Sequence, residues 1–322
     1  MRVLVTGGAG FIGSHLCEAL LAAKHKVFVL DDLSTGRFEN IEHLSDVTCI
    51  IDSTLSQDIV RDLVRDVDVV YHLAATVGVQ LVVNHPIRTI VNNIQGTETV
   101  LQETCRYRRR LLITSTSEVY GKGAREVFHE NDDRVIGATH LHRWCYAASK
   151  AIDEFLALAY WREKRHPVVI ARLFNTVGPR QTGRYGMVIP TFARQALLNE
   201  PLTVYGDGKQ SRCFAYVGDV VPALVTLMER TDIRGDVFNI GNNQPVTMEE
   251  LARRVIVRSG SQSTIRYVPY DQAYGPGYED MRHREPSLNK IRNAIGYTPK
   301  TSLDTIIDVV LEDTRKRLQS DV

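Results

Sequence analysis

"RVLVTGGAGFIGSHLCEALL", residues 2–21, passes from a β-branched apolar run through a glycine turn into a helical pattern, and its reading decides the fold. Gly7, Gly10 and Gly13 are spaced as GxxGxxG. Such a turn lets backbone N–H groups approach a pyrophosphate at the helix N-terminus, and its last glycine permits close helix packing. Alone, the triplet also fits an ordinary tight turn. The next apolar run, "KVFVL", ends in Asp31 and Asp32, where an acidic side chain accepts hydrogen bonds from an adenosine ribose. Strand, turn, helix and acid together predict a dinucleotide site. An acid there repels a 2′-phosphate, so NAD is expected rather than NADP, although Arg37 argues the other way.

Outward from this unit the same rhythm continues. "VLVT", "VFVL", "VTCII", "VDVVYHL", "LLITS" and "PVVIARL" alternate with segments whose apolar residues recur at helical spacing. Repeated βαβ units predict a buried parallel sheet. After about Asn175 the pattern loosens, with Pro and Gly punctuation at "GPR", "RYG", "YGDGKQ" and "YGPGYED". "CFAYVGDVVPALVTLMER" and then "VFNIG" restore the rhythm and return to the first domain. The expected division is residues 1–175 with 214–243, and residues 176–213 with 244–322.

Bulk composition narrows the partners. At 322 residues the chain can bury a large core. Lys plus Arg number 39 against 38 for Asp plus Glu, a balance that predicts neither nucleic acid nor an anionic membrane as partner. Cysteines at 17, 49, 105, 145 and 213 form no CxxC pair, so no zinc site and no disulfide framework is expected, and a reducing cytoplasm is. The first strand starts at Arg2, leaving no room for a signal peptide, and no apolar run approaches the length of a membrane span.

"YAASK" places Tyr146 four residues before Lys150, one helical turn apart on the same face. A neighbouring ammonium and an oxidised nicotinamide are expected to draw the phenol pKa from about 10 towards neutrality, making Tyr146 a general base. Lys150 is also placed to reach the nicotinamide ribose. Just after the run "RRLLI" stand Thr116, Ser117 and Glu118, two hydroxyls and a carboxylate that also fit a turn cap.

"TGGAGFIG", "HLAA", "NNIQGT", "TSTSEVYG", "YAASK", "RLFNTVGPR" and "VYGDGKQSR" occur in the order and spacing of the extended short-chain dehydrogenase/reductases, the NAD-dependent epimerase/dehydratase family. The chain resembles this family over nearly its whole length. The resemblance implies an α/β fold, a Rossmann doubly wound parallel sheet with a smaller C-terminal sugar-nucleotide-binding domain, and a homodimer formed through two helices of each subunit. It implies NAD held by Gly7, Gly10, Phe11, Ile12, Gly13, Asp31, Asp32, Asp52, Leu73, Ala74, Ala75, Asn93, Tyr146 and Lys150. The implied catalytic set is Thr116, Ser117, Glu118, Tyr146, Lys150 and Arg212. The implied substrate contacts are Asn175, Arg180, Arg184, Val188, Tyr205, Gln210, Arg212 and Arg284, with Tyr205 against uracil.

The family oxidises C4 of the sugar, and the residues after Thr116 imply the fate of the resulting ketone. The 4,6-dehydratases carry Asp then Glu, an acid for the leaving 6-hydroxyl and a base for the C5 proton. Here the acid's position is Ser117. Thr-Ser-Glu instead resembles the UDP-glucuronate decarboxylases, and "HRWCYAASK" and "AYGPGYEDMRHREPSL" resemble the domain that makes the 4-keto-pentose precursor of aminoarabinose. The expected reaction is oxidation and decarboxylation of UDP-glucuronate to UDP-4-keto-pentose, UDP-xylose or both. "TVGVQLVVNHP" after "HLAA" is closer to epimerase style, which keeps a 4-epimerase of UDP-glucuronate or a UDP-hexose as the alternative. A 4,6-dehydratase and a non-catalytic NAD-sensing regulator are the remaining rivals.

Overall fold

The computed structural model describes residues 1–320 without 124, 184–185 and 275–278, and without the side chains of 79, 80, 274 and 320. The expected strands pair as one parallel sheet. In chain order they are β1 (Arg2–Thr6), β2 (Lys26–Asp31), β3 (Val47–Ile51), β4 (Val69–His72), β5 (Arg110–Thr116), and the strands Val168–Leu173 and Asp236–Ile240. Their spatial order is Asp236–Ile240, Val168–Leu173, β5, β4, β1, β2, β3, a doubly wound arrangement that reverses direction between β1 and β4. At such a switch point the loops after neighbouring strands part and leave a crevice at the carboxyl ends. Thr6 at the end of β1 lies in register with His72 of β4 and Leu30 of β2, so the glycine turn opens into that crevice.

Alternation along β1 explains why both faces are covered. Val3 and Val5 pack with Leu16 and Leu20 of helix α1 (Phe11–Ala22), whereas Leu4 packs with Val60, Val64, Val100 and Leu101 on the other face. The latter four come from α2 (Gln57–Arg65) and from a long helix, Pro86–Arg106. The α/β architecture therefore arises from a period-2 strand between two apolar helix faces.

The helix Trp144–Lys164, which carries Tyr146, is fixed to the sheet by charge as well as by packing. Buried Glu154 accepts from Arg172 Nε at 2.8 Å and Nη2 at 2.7 Å, and from the Ser115 hydroxyl at 2.6 Å. Removing one partner of such a buried pair costs roughly 3–5 kcal/mol, so the helix is held at a fixed depth against β5 and Val168–Leu173.

A separate apolar cluster joins Ile189 and Phe192 of helix Val188–Leu197, Leu202 and Val204 of strand Leu202–Tyr205, Leu251 and Val255 of helix Met248–Ser259, and Ile306, Ile307 and Val310 of helix Leu303–Ser320. We propose that the two cores are two domains divided at the positions expected from sequence, a division supported by the entry of Asp236–Ile240 into the main sheet. Among the described residues no helix is long and apolar enough to cross a membrane.

Candidate active site

The crevice at the switch point is a cavity of about 440 Å³. Every residue expected to hold the cofactor lines it except Asn93, Tyr146 and Lys150. Gly7 turns the chain with φ +72°, and a Cβ there would stand 2.7 Å from Ala74 N. A Cβ on Gly13 would lie 2.1 Å from Gly7 O, so the close approach of α1 to the turn requires glycine. The first turn of α1 carries neither a side-chain cap nor an acidic residue. Its N–H groups and positive dipole end thus suit a pyrophosphate.

At the far end of the cavity Asp31 accepts from Ala9 N at 3.0 Å and Leu33 N at 2.9 Å, and Asp32 accepts from Ser34 N at 2.9 Å. Burial raises the Asp31 pKa against those two N–H groups. Asp52 accepts from Ser53 N at 2.6 Å and the Ser56 hydroxyl at 2.5 Å. The residues present therefore fit a dinucleotide whose ribose is read by carboxylates. Asn93 stands behind the cavity: its Oδ1 accepts from Thr76 N at 2.7 Å and its amide donates to Ser149 Oγ at 3.2 Å. It braces the loop after β4 against the helix of Tyr146.

Tyr146 is hydrogen-bonded to Thr116 at the end of β5. The Thr116 hydroxyl also accepts from Glu118 N at 3.2 Å, so of the three residues after "RRLLI" it is Thr116 that caps the following turn. Ser117 is buried, with its hydroxyl 3.4 Å from Arg284 Nη1. Glu118 accepts from Arg143 Nη1 at 2.6 Å and from Arg284 Nη2. Arg143 also donates to Glu279 O at 2.8 Å and Asp280 Oδ1 at 3.1 Å, and lies over the Trp144 ring at 4.8 Å. Arg212 donates to Asp280 Oδ2 at 2.9 Å. Asn175, with φ +34°, donates to Cys213 O at 3.0 Å and turns its Oδ1 to Arg284 at 3.5 Å.

Three guanidinium groups, Arg143, Arg212 and Arg284, thus meet two carboxylates, Glu118 and Asp280, beside Tyr146. Burial alone would raise the Glu118 carboxyl, but Arg143 and Arg284 hold it well below the usual carboxylate range. Asp280 is lowered in the same way, against burial, by Arg212 and Arg143.

The other expected residues are placed as follows. Arg180 sits on the cofactor side of the crevice. It lines the cofactor cavity, bonds Glu18 of α1, and places its backbone N–H 3.3 Å from Asp313 of the last helix. Lys150 gives its ammonium to Asp153 at 2.8 Å. With that charge already paired, the protein's own groups raise the Tyr146 phenol rather than lower it, first through burial and then through Glu118. Arg184 lies outside the described residues. Gln210 lines a second hollow with Gly206, Tyr270 and Arg282, and donates to Tyr205 O at 2.8 Å. Val188 begins its helix against the second core. Arg143, Asp153, Asp280, Asp313 and Arg317 were not singled out from sequence. The last two join the cavity from a helix more than a hundred residues away in the chain.

The family model described as NAD dependent epimerase/dehydratase matches residues 3–241, and the chain belongs to that family. It is 40% identical to the UDP-N-acetyl-alpha-D-glucosaminuronate decarboxylase of Bacillus cytotoxicus, with 94% of each chain covered. It is 38% identical to UDP-glucuronic acid decarboxylase 2 of Arabidopsis thaliana, which spans 100% of this chain and 70% of that one. Among solved structures it is similar to the UDP-glucuronic acid 4-epimerase of Bacillus cereus in complex with UDP-glucuronic acid and NAD, at a TM-score of 0.88 and 30% identity over 98% of this chain and 100% of the other. The chain is an NAD-dependent enzyme of the extended short-chain dehydrogenase/reductase type.

Proposed function

We propose that the protein decarboxylates UDP-glucuronate to UDP-4-keto-pentose, UDP-xylose or both. The observation that carries this reading is the excess of guanidinium over carboxylate in the cluster beside Tyr146 and Thr116, a setting for an anionic C6 group. Thr116 holds the sugar O4 and Tyr146 takes its proton. The glycine turn, Asp31 and Asp32 would hold NAD, which would supply the acceptor for the C4 hydride. The C6 carboxylate is then β to a ketone. The C5–C6 electron pair moves into the carbonyl as carbon dioxide leaves, and Tyr146 and Thr116 hydrogen-bond the enolate oxygen. A proton from solvent then adds to C5, and where the hydride returns to C4 Tyr146 gives its proton back to O4.

Ser117 replaces the acid that dehydration needs. Glu118, kept ionised by Arg143 and Arg284, does not supply it. The names of the relatives support the same chemistry and differ in the C2 substituent. Side-by-side incubation with UDP-glucuronate and UDP-N-acetylglucosaminuronate tests the substrate: loss of carbon dioxide from UDP-glucuronate is expected, and loss from neither overturns the reading. The loop 76–80, epimerase-like in sequence, supports 4-epimerisation as the second reading.

The uridine end is assigned to the hollow at Gln210 and the adjoining Tyr205. A cytoplasmic setting is supported by five cysteines that are all free thiols. A homodimer is supported by apolar side chains on the paired helices Pro86–Arg106 and Trp144–Lys164, where Ile87 is 78% exposed, Phe155 64% and Ile152 46%. Phe155→Glu is therefore expected to convert a dimer into a monomer by light scattering at micromolar concentration. A wild-type monomer would refute this interface.

A further inference from the structure

Tyr146, Lys150 and Asp153 stand at i, i+4 and i+7 of one helix and share a face. Asp153 and Lys150 have side chains 1% and 2% exposed, and Lys150 Nζ donates to Asp153 Oδ2 at 2.8 Å. Burial raises the Asp153 carboxyl, against the Lys150 ammonium and the nearby Thr97 hydroxyl of helix Pro86–Arg106. Behind Thr97 stands His72, whose Nε2 is 3.1 Å from Thr97 Oγ1 and whose Nδ1 is 2.8 Å from Thr6 Oγ1. Thr6 Oγ1 accepts from Ala74 N at 3.3 Å.

The donors in this chain run one way. Ala74 N–H donates to Thr6, and a His72 that carries its proton on Nε2 accepts from the Thr6 hydroxyl at Nδ1 and donates to Thr97, which leaves the Thr97 hydrogen for the Asp153 side. Burial and the Lys150 charge lower the His72 pKa to about 3, so the imidazole is neutral, as this direction requires. A polar chain from the nucleotide turn thus reaches Thr97, beside the carboxylate that holds Lys150, and every member of it is buried or half-buried.

We infer that Asp153 is a positioning residue, which pairs with the Lys150 ammonium and, by offsetting its charge, sets the pH above which Tyr146 serves as base. The inference rests on the proposed role of Tyr146. A phenol that takes a proton from O4 and gives it back for a returning hydride works best when its pKa lies near the ambient pH. Lys150 and an oxidised nicotinamide both favour the phenolate. Asp153 offsets one of those charges, so the phenol is not left permanently ionised.

The other charged groups near this face have partners of their own. Glu118 and Arg284 face Tyr146 from the turn after β5 and from the tail, and are bound to each other. Glu154, beside Asp153, is bound to Arg172 and Arg134. His72 faces Lys150 from β4. Asp153 is therefore the carboxylate whose removal leaves the Lys150 charge uncompensated.

The test is the pH dependence of turnover in Asp153→Asn, with Asp153→Ala as the second variant should the amide not fold. The acid limb of the rate profile is expected to move down by about one pH unit, since an uncompensated ammonium at this range favours the phenolate. The midpoint reports ionisation and is independent of how much folded protein survives. A midpoint that stays in place, or moves up, overturns the inference and leaves Asp153 as a structural counter-ion. Full activity of Tyr146→Phe would instead remove the base itself, so the two failures are told apart.

Discussion

Tyr146→Phe should turn over substrate roughly 10²–10⁴ times more slowly than the wild type while still binding NAD. No neighbouring group can take over the proton of O4. The Lys150 ammonium is committed to Asp153, and the Glu118 carboxylate is clamped between Arg143 and Arg284. Thr116 has a hydroxyl whose pKa is far too high. The substitution removes one oxygen and little shape, and Tyr146 does not line the cofactor cavity, so affinity for NAD is expected to stay within a few-fold. Turnover measured beside calorimetric NAD binding separates the two effects. A rate near that of the wild type would place the base elsewhere.

Glu118→Gln is expected to slow the step after C4 oxidation at least tenfold and to affect oxidation much less, because hydride removal needs Tyr146 and Thr116 but not that carboxylate. The variant leaves Asp280 as the sole carboxylate among three guanidinium groups and so loosens the hold on Arg143 and Arg284. Rapid mixing with UDP-glucuronate should then show the reduced-nicotinamide absorbance rising ahead of carbon dioxide release. Equal slowing of both would assign Glu118 to binding alone. The same residue predicts an acid effect on stability. Its folded-state pKa is depressed, so its stabilisation is present at neutral pH and is lost as pH falls below the ordinary carboxylate range, and the wild type should lose stability there more steeply than the variant.

What was legible in the sequence was what short spacing determines. Strand, glycine turn, helix and acid succeed one another within residues 2–32, and each element constrains its neighbour through backbone geometry. Tyr146 and Lys150 lie one turn apart, so their shared face needed no tertiary information. The role of Arg143 was hidden because its partners Glu118 and Asp280 reach it from 25 positions before and 137 after. The seat of Arg180 was hidden for the same reason: its partner Glu18 is 162 positions away, on the helix that opens the nucleotide turn. Asp153 is a different case. Its spacing from Lys150 is local, but nothing in "YAASKAIDEF" shows that this face of the helix is buried, and burial is what turns an ordinary surface pair into a charge-setting one.

The fate of C6 tests the central claim most directly. UDP-glucuronate carrying ¹³C at C6 is incubated with the protein and NAD, and the label is traced by mass spectrometry of gas and nucleotide sugar together. The expected result is label in carbon dioxide and an unlabelled UDP-pentose or UDP-4-keto-pentose, with reduced nicotinamide accumulating only to the extent that the ketone is released. Label retained in a UDP-hexuronate of inverted C4 would contradict decarboxylation and make the protein a 4-epimerase.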